Sequence, residues 1–228
     1  MIDRKKFFDA VRNNPFTGLK GVRGGQQVAG TDDILDAWEM SGLTDLRWLA
    51  YMLATALHET GTMLPVREIG RGKGRKYGKV GRHGQIAYGR GLVQLTWDYN
   101  YERADKELGL NGALIQNYDL ALDSMVASKI MFRGMEEGWF TGKRLSTYLN
   151  DLREDFYNAR RIINGVDKAA LVAGYAKAFY GALRDAEGYS VPVAPIDDQM
   201  DDPIPQEPED EPLGFWGRFW QTLFGRIT

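Results

Sequence analysis

Cysteine is absent from the 228 residues. That excludes a disulfide-stapled scaffold, thiolate metal sites and cysteine-nucleophile chemistry, and it suits synthesis in a reducing cytoplasm. Histidine is nearly absent, with His58 and His83 the only two, too few for a His-rich metal cage. Long apolar runs are missing as well: no segment reaches the roughly 18 apolar residues of a membrane span. The N-terminus, MIDRKKFFDAVRNN, interrupts its apolar residues with charges, so it has no secretory signal core. The chain is therefore expected to be made in the cytoplasm without a signal peptide and to reach any outside target by another route. An excess of one charge sign is lacking too. With 29 bases and 31 acids the net charge is −2, which argues against a dedicated nucleic-acid binder.

What is present divides the chain. Six of the eight prolines, from Pro192 to Pro212, fall within twenty-one residues that also hold eight acids and no base. Such a stretch cannot bury enough apolar surface to offset its ordering entropy, so 191–212 reads as a disordered acidic linker. Residues 191–228 carry two arginines against eight acids, a charge of −6, and residues 1–190 carry 27 bases against 23 acids, a charge of +4. Beyond the linker, 213–228 (LGFWGRFWQTLFGRIT) sets Trp216, Phe219, Trp220, Leu223 and Ile227 on one stripe at helical spacing. That is an amphipathic segment suited to a membrane surface or a partner protein, with folding back onto its own domain as the alternative.

Within 1–190 apolar spacing near 3.6 predicts helices over 2–12, 31–39, 44–60, 97–108, 119–138, 143–149, 153–163 and 167–187, hence a mainly α domain. Thr31 and Thr44, each followed by acids, read as N-caps. The glycine-rich stretch 61–96 has no sustained helical period. It reads as an irregular excursion with one short hairpin, and long loops of this kind are usually functional.

The chemistry gathers at the two ends of that excursion. The apolar run LRWLAYMLATALHET closes on His58-Glu59-Thr60-Gly61, and Glu68 follows nine residues after Glu59, beyond a glycine and a proline. A turn there can set two carboxylates across a cleft. Glycoside hydrolysis needs that arrangement, one carboxylic acid to protonate the leaving oxygen and one carboxylate to attack or to activate water. Taken alone, spacing favours two solvated surface glutamates near a helix end. The stretch Tyr88-Gly89-Arg90-Gly91-Leu92-Val93-Gln94-Leu95-Thr96-Trp97-Asp98-Tyr99-Asn100-Tyr101 adds aromatic faces, amides and a hydroxyl suited to a sugar ring. Its bland alternative is an aromatic-rich core segment.

The strings ATALHETG, PVRE, AYGRGLVQLTWDYNY and ARRIING, in that order, resemble the family 19 chitinase and lysozyme-like glycoside hydrolases, phage-type endolysins included. The resemblance covers roughly residues 30–185. It implies a lysozyme-like helical domain, no metal or other cofactor, and inversion at the anomeric carbon. It also implies that Glu59 is the general acid, Glu68 the general base and Thr96 the holder of the attacking water. Gln94, Tyr99 and Asn100 then line the sugar cleft, with Arg161 and Asn164 as looser matches. Tyr88, Arg90 and His58 are further candidate substrate contacts, and His58 reads first as a structural residue that bonds a neighbouring backbone group or Glu68. The third motif ends Asn164-Gly165-Val166 where a second glycine is usual, and the loop after Glu68 is short and basic. These departures favour peptidoglycan over chitin as the expected substrate. The expected protein is a monomeric wall hydrolase acting on the periplasmic side, released by lysis or carried by a virion. A chitinase and a non-catalytic wall-binding module are the alternatives.

Two features invite other readings. Arg71, Lys73, Arg75, Lys76, Lys79 and Arg82 lie in a span without an acid between Ile69 and Trp97, a field that could steer an anionic polymer or simply a solvated loop. Its glycines suggest a phosphate loop, but Gly78-Lys79 is followed by Val80 where Ser or Thr is required, which excludes that motif.

Overall fold

Twelve of the fifteen residues in the stretch that closes on His58-Glu59-Thr60 are buried, and a helix apolar all round belongs at the centre of a domain. In the computed structural model, which describes residues 1–14, 17 and 24–187, this stretch is the central helix α3 (Leu46–Thr60). It follows α1 (Arg4–Asn13) and α2 (Gly24–Ser41). The long α8 (Ala169–Ala186) packs along α3 and α1, while α2 packs on α6 (Ser124–Glu137). Phe7 of α1 stacks on Phe179 of α8 with ring centroids 6.3 Å apart, and Tyr51 of α3 stacks near Phe156. Leu49, Leu53, Val172, Phe179 and Leu183 are fully buried, each contributing about 1.5–3 kcal/mol of transfer free energy. Among the described residues no helix is long and apolar enough to cross a membrane.

The remaining elements are short: β1 (Val66–Arg67), β2 (Arg90–Gly91), α4 (Asp98–Glu107), α5 (Ala113–Gln116), α7 (Leu145–Tyr148), β3 (Leu149–Asn150) and β4 (Arg153–Glu154). The fold is mainly α, and the excursion 61–96 is closed by an antiparallel pair in which Val66 faces Gly91 and Arg67 faces Arg90. Gly61 caps α3 in the left-handed conformation, with φ of 67°.

Several boundaries differ from the sequence reading. Thr31 does not start a helix. It lies inside α2, where its hydroxyl donates to the Gln27 carbonyl at 2.6 Å. The cap of α3 is Asp45, not Thr44, because the Asp45 carboxylate accepts the Arg47 backbone N–H at 2.9 Å. The span 119–138 breaks into a 3₁₀ turn (Tyr118–Leu122) and α6, which Asp123 caps. The helix expected over 153–163 is absent: β4 is followed by a 3₁₀ turn at Asn158–Ile162. Its apolar spacing belongs to residues that pack inward from a turn. The acidic linker expected over 191–212 and the amphipathic segment over 213–228 lie outside the described residues.

Candidate active site

The last turn of α3 delivers polar residues into the core. Glu59 has no exposed surface, and its Oε1 accepts a 2.8 Å hydrogen bond from Nη1 of Arg160, which is equally buried. Arg160 is anchored in turn through its Nε to the Asp167 carbonyl at 3.1 Å. Glu59 Oε2 is buried with no hydrogen-bond partner among the described residues. Burial raises the Glu59 pKa above its ordinary value, and the Arg160 charge opposes that rise without cancelling it. The carboxyl therefore keeps a proton to higher pH than a solvated glutamate does. Beside it, burial together with the Arg160 and Lys168 charges pushes His58 down to about 3. Its imidazole is neutral at any ordinary pH.

The turn after α3 leads to Glu68 by a short path. The Thr60 hydroxyl accepts the Met63 N–H at 2.9 Å, and Gln27 holds the Gly61 carbonyl at the same distance. One residue past β1, the Glu68 N–H donates to the Gly89 carbonyl at 2.7 Å, and the Gly89 N–H donates back to Glu68 Oε2 at 2.9 Å. Oε1 accepts the Tyr77 hydroxyl at 3.0 Å. Burial, then the Glu68 charge, raises the Tyr77 phenol above its usual range and keeps it a donor. Gly89 is required by close approach: a Cβ there would lie 2.8 Å from Gln94 Oε1 and 3.3 Å from the Glu68 Cβ.

Gln94 binds both strands, its Nε2 donating to the Val66 and Gly91 carbonyls at 3.0 and 3.2 Å. Its Oε1 is left buried without a partner among the described residues. Thr96 is half-buried two residues on, and its carbonyl accepts the Asn100 Nδ2 at 2.9 Å across the first turn of α4. Trp97 then stacks on the exposed Tyr99, centroids 6.1 Å apart, and meets Tyr77 edge-on at 5.4 Å. Tyr77, Trp97 and Tyr99 thus form an aromatic row beside Glu68, the kind of surface on which sugar rings stack. Among the described residues no group of three His, Asp or Glu side chains could hold a metal ion.

The structure separates other expected contacts from this group. Arg90 is buried and committed: its Nε bonds Asp119 at 2.7 Å, its Nη1 reaches the Ile86 and Tyr88 carbonyls and the Tyr101 hydroxyl, and its guanidinium lies 3.5 Å over the Tyr88 ring. Arg90 and Tyr88 brace the loop. Arg161 is exposed and bonds Asn158, while Asn164 turns its side chain to the N–H of Gly165.

No protein-family model matches the chain. Two Arabidopsis thaliana endochitinases are similar to it, one 36% identical over 108 residues (46% of this chain, 38% of the relative), the other 31% identical over 163 residues (70% and 54%). Endochitinase A of Zea mays is 31% identical over 132 residues, 55% of this chain and 39% of its own length. The chain thus spans about half the length of these relatives, or less. Among solved structures, chitinase C from Streptomyces griseus superposes with a TM-score of 0.53 at 24% identity, over 82% of this chain and 76% of that one. The fold is that of chitinase C.

Two site residues escape the sequence reading. Arg160 is missed in favour of its neighbour, since nothing in the pair Arg160-Arg161 says which side chain turns inward. Tyr77 sits amid a basic run, and only its aromatic ring in so polar a stretch could have marked it.

Proposed function

We propose that the chain is a glycoside hydrolase that cleaves β-1,4 bonds in polymers of N-acetylated amino sugars, with Glu59 as general acid and Glu68 as general base. The observation that carries this reading is the contrast between two carboxyls joined by one turn. Glu59 is buried and raised in pKa, with one oxygen unpartnered. Glu68 accepts hydrogen bonds on both oxygens, as a carboxylate does. In an inverting mechanism Glu59 gives its proton to the leaving oxygen while Glu68 takes one from a water on the opposite face of the sugar, with Thr96 assigned to hold that water. Glu59 has no exposed surface, so the leaving oxygen meets it only when the side chains over Oε2 part.

For the substrate, the reading is peptidoglycan, and the activity that of a phage-type wall lysin. The acid-free basic stretch beside Glu68 supports it, because bacterial wall is anionic and chitin is not. Chitin is the second reading, favoured by the names of the plant relatives. Clearing of permeabilised Gram-negative cells, run beside cleavage of soluble chitin oligomers, distinguishes them, and proton NMR of the first-formed anomer tests inversion. Wall clearing with an inverted anomer is the expected result. A retained anomer would overturn the acid/base assignment, and loss of both activities the whole reading.

Tyr77 is here a positioning residue for Glu68. Tyr77→Phe keeps the ring against Trp97 and removes only the hydroxyl. Losing one hydrogen bond to a charged group costs about 1.5–3 kcal/mol, so kcat is expected to fall roughly tenfold or more with KM little changed. Steady-state kinetics on a soluble oligomer check it, and a raised KM with kcat unchanged would show that Tyr77 serves only binding.

A further inference from the structure

We propose that the loop from Ile69 to Arg82 is a contact surface for a carboxylate-bearing glycan, placed to engage acidic substituents of a polymer lying along the aromatic row. The proposal rests on the glycosidase reading above and deepens it. From Ile69 to Trp97 the chain carries seven cations and no acid. Several other cations are paired: Arg47 with Asp45, Arg67 and Arg90 with Asp119, Arg160 with Glu59. At the end of the loop Arg82 and His83 share Glu102, at 3.0 and 2.7 Å. Arg71, Lys73, Lys76 and Lys79 are exposed and have no ion-pair partner among the described residues.

The backbone that carries these four side chains is ordered by turn hydrogen bonds. Successive turns bond Arg71 to Glu68, Lys73 to Gly70, Arg75 to Gly72 and Gly78 to Arg75, each N–H donating to the earlier carbonyl at 2.9–3.1 Å. Gly78 closes on Gly72 so tightly that a Cβ at Gly78 would lie 1.8 Å from the Gly72 carbonyl oxygen. Tyr77, in the 3₁₀ turn Lys76–Gly78, pins the loop to the site through Glu68 and Trp97. A sugar polymer stacked on Tyr77, Trp97 and Tyr99 therefore runs beside Lys76 and its neighbours. A neutral polymer gains stacking alone. One bearing a carboxylate on each repeat also gains Coulomb attraction, effective within a screening length of about 10 Å at 0.1 M salt.

Sedimentation with purified peptidoglycan tests this in the full chain carrying Glu59→Gln, which prevents digestion during the assay. Replacing Arg71, Lys73, Lys76 and Lys79 by Ser should weaken binding roughly tenfold at low salt and flatten its salt dependence. The charge-preserving set Lys73→Arg, Lys76→Arg and Lys79→Arg should bind as the parent does. Amidating the carboxylates of the wall should lower parent binding to the level of the Ser variant, a result that needs no variant to fold. With Glu59 intact, the Ser variant should cleave a neutral chitin oligomer at the parent rate. Parent binding unchanged by amidation, or a folded Ser variant that sediments like the parent, would overturn the proposal. Because binding is read without turnover, failure of the glycosidase reading would appear separately, as absence of cleavage by the unmodified chain.

Discussion

Glu59→Gln is expected to abolish hydrolysis while leaving the fold intact. The amide matches the carboxyl in shape, and its Oε1 can still accept the Arg160 N–H that lies 2.8 Å away in the parent. What disappears is the transferable proton. Loss of a general acid costs about 10²–10⁴-fold, so rates on a soluble oligomer, with circular dichroism to verify folding, give a clear reading. A folded variant keeping more than about a tenth of the parent rate would place the acid elsewhere. The pH profile adds a second check. In the proposed role Glu59 acts protonated, and burial raises its pKa, so the basic limb of the parent profile should lie above the range of a solvated glutamate. His58, pushed down to about 3, is neutral throughout and cannot supply that limb. Stability follows the same linkage. A carboxyl whose folded pKa lies above its unfolded value, near 4.5, contributes most below that value, and its contribution is lost as pH rises through the folded pKa. Denaturant titrations of Glu59→Gln should therefore show a flatter dependence on pH than the parent.

The parts of this site legible in the sequence are those fixed by local chemistry. An apolar run ending in Glu59 and a glycine gives a buried helix end, and Gly61 does take the left-handed cap. The density of aromatics and amides over 88–101 is the signal from which the sugar-binding proposal starts, and the structure brings Gln94, Trp97 and Tyr99 to the Glu68 side. What escapes depends on tertiary choice. Arg90 carries the same charge as any cleft cation, but Asp119, twenty-nine residues away, holds it in the frame. Thr31 resembles a cap because two acids follow it, yet the helix begins at Gly24 and leaves the hydroxyl to bond within its own helix. The span 153–163 has helical spacing, but Asp155 accepts hydrogen bonds from both the backbone and the side chain of Asn158 and closes a tight turn instead. That turn decides which of two adjacent arginines enters the core.

Arg160→Met is the sharpest test of that choice. Arg160 and Glu59 form a pair with no exposed surface on either side chain, and removing one partner of a buried pair costs about 3–5 kcal/mol, because the remaining charge is stranded. Glu59 can escape by keeping its proton, since the Arg160 charge lowers its pKa in the parent. The stability loss should therefore be modest at pH 5, where the carboxyl is readily protonated, and grow toward pH 8, where holding it neutral works against the solvent. For the same reason the basic limb of activity should move to higher pH in the variant, although turnover falls as Glu59 loses its anchor. Combining Arg160→Met with Glu59→Gln should recover much of the pH 8 loss, a coupling that urea titrations of the four proteins measure directly. Arg161→Met is the control: that side chain is exposed, and its replacement should stay within about 0.5 kcal/mol of the parent. Equal losses in the two single variants, or a double variant whose loss is the simple sum, would mean that the buried pair does not set the proton affinity of Glu59.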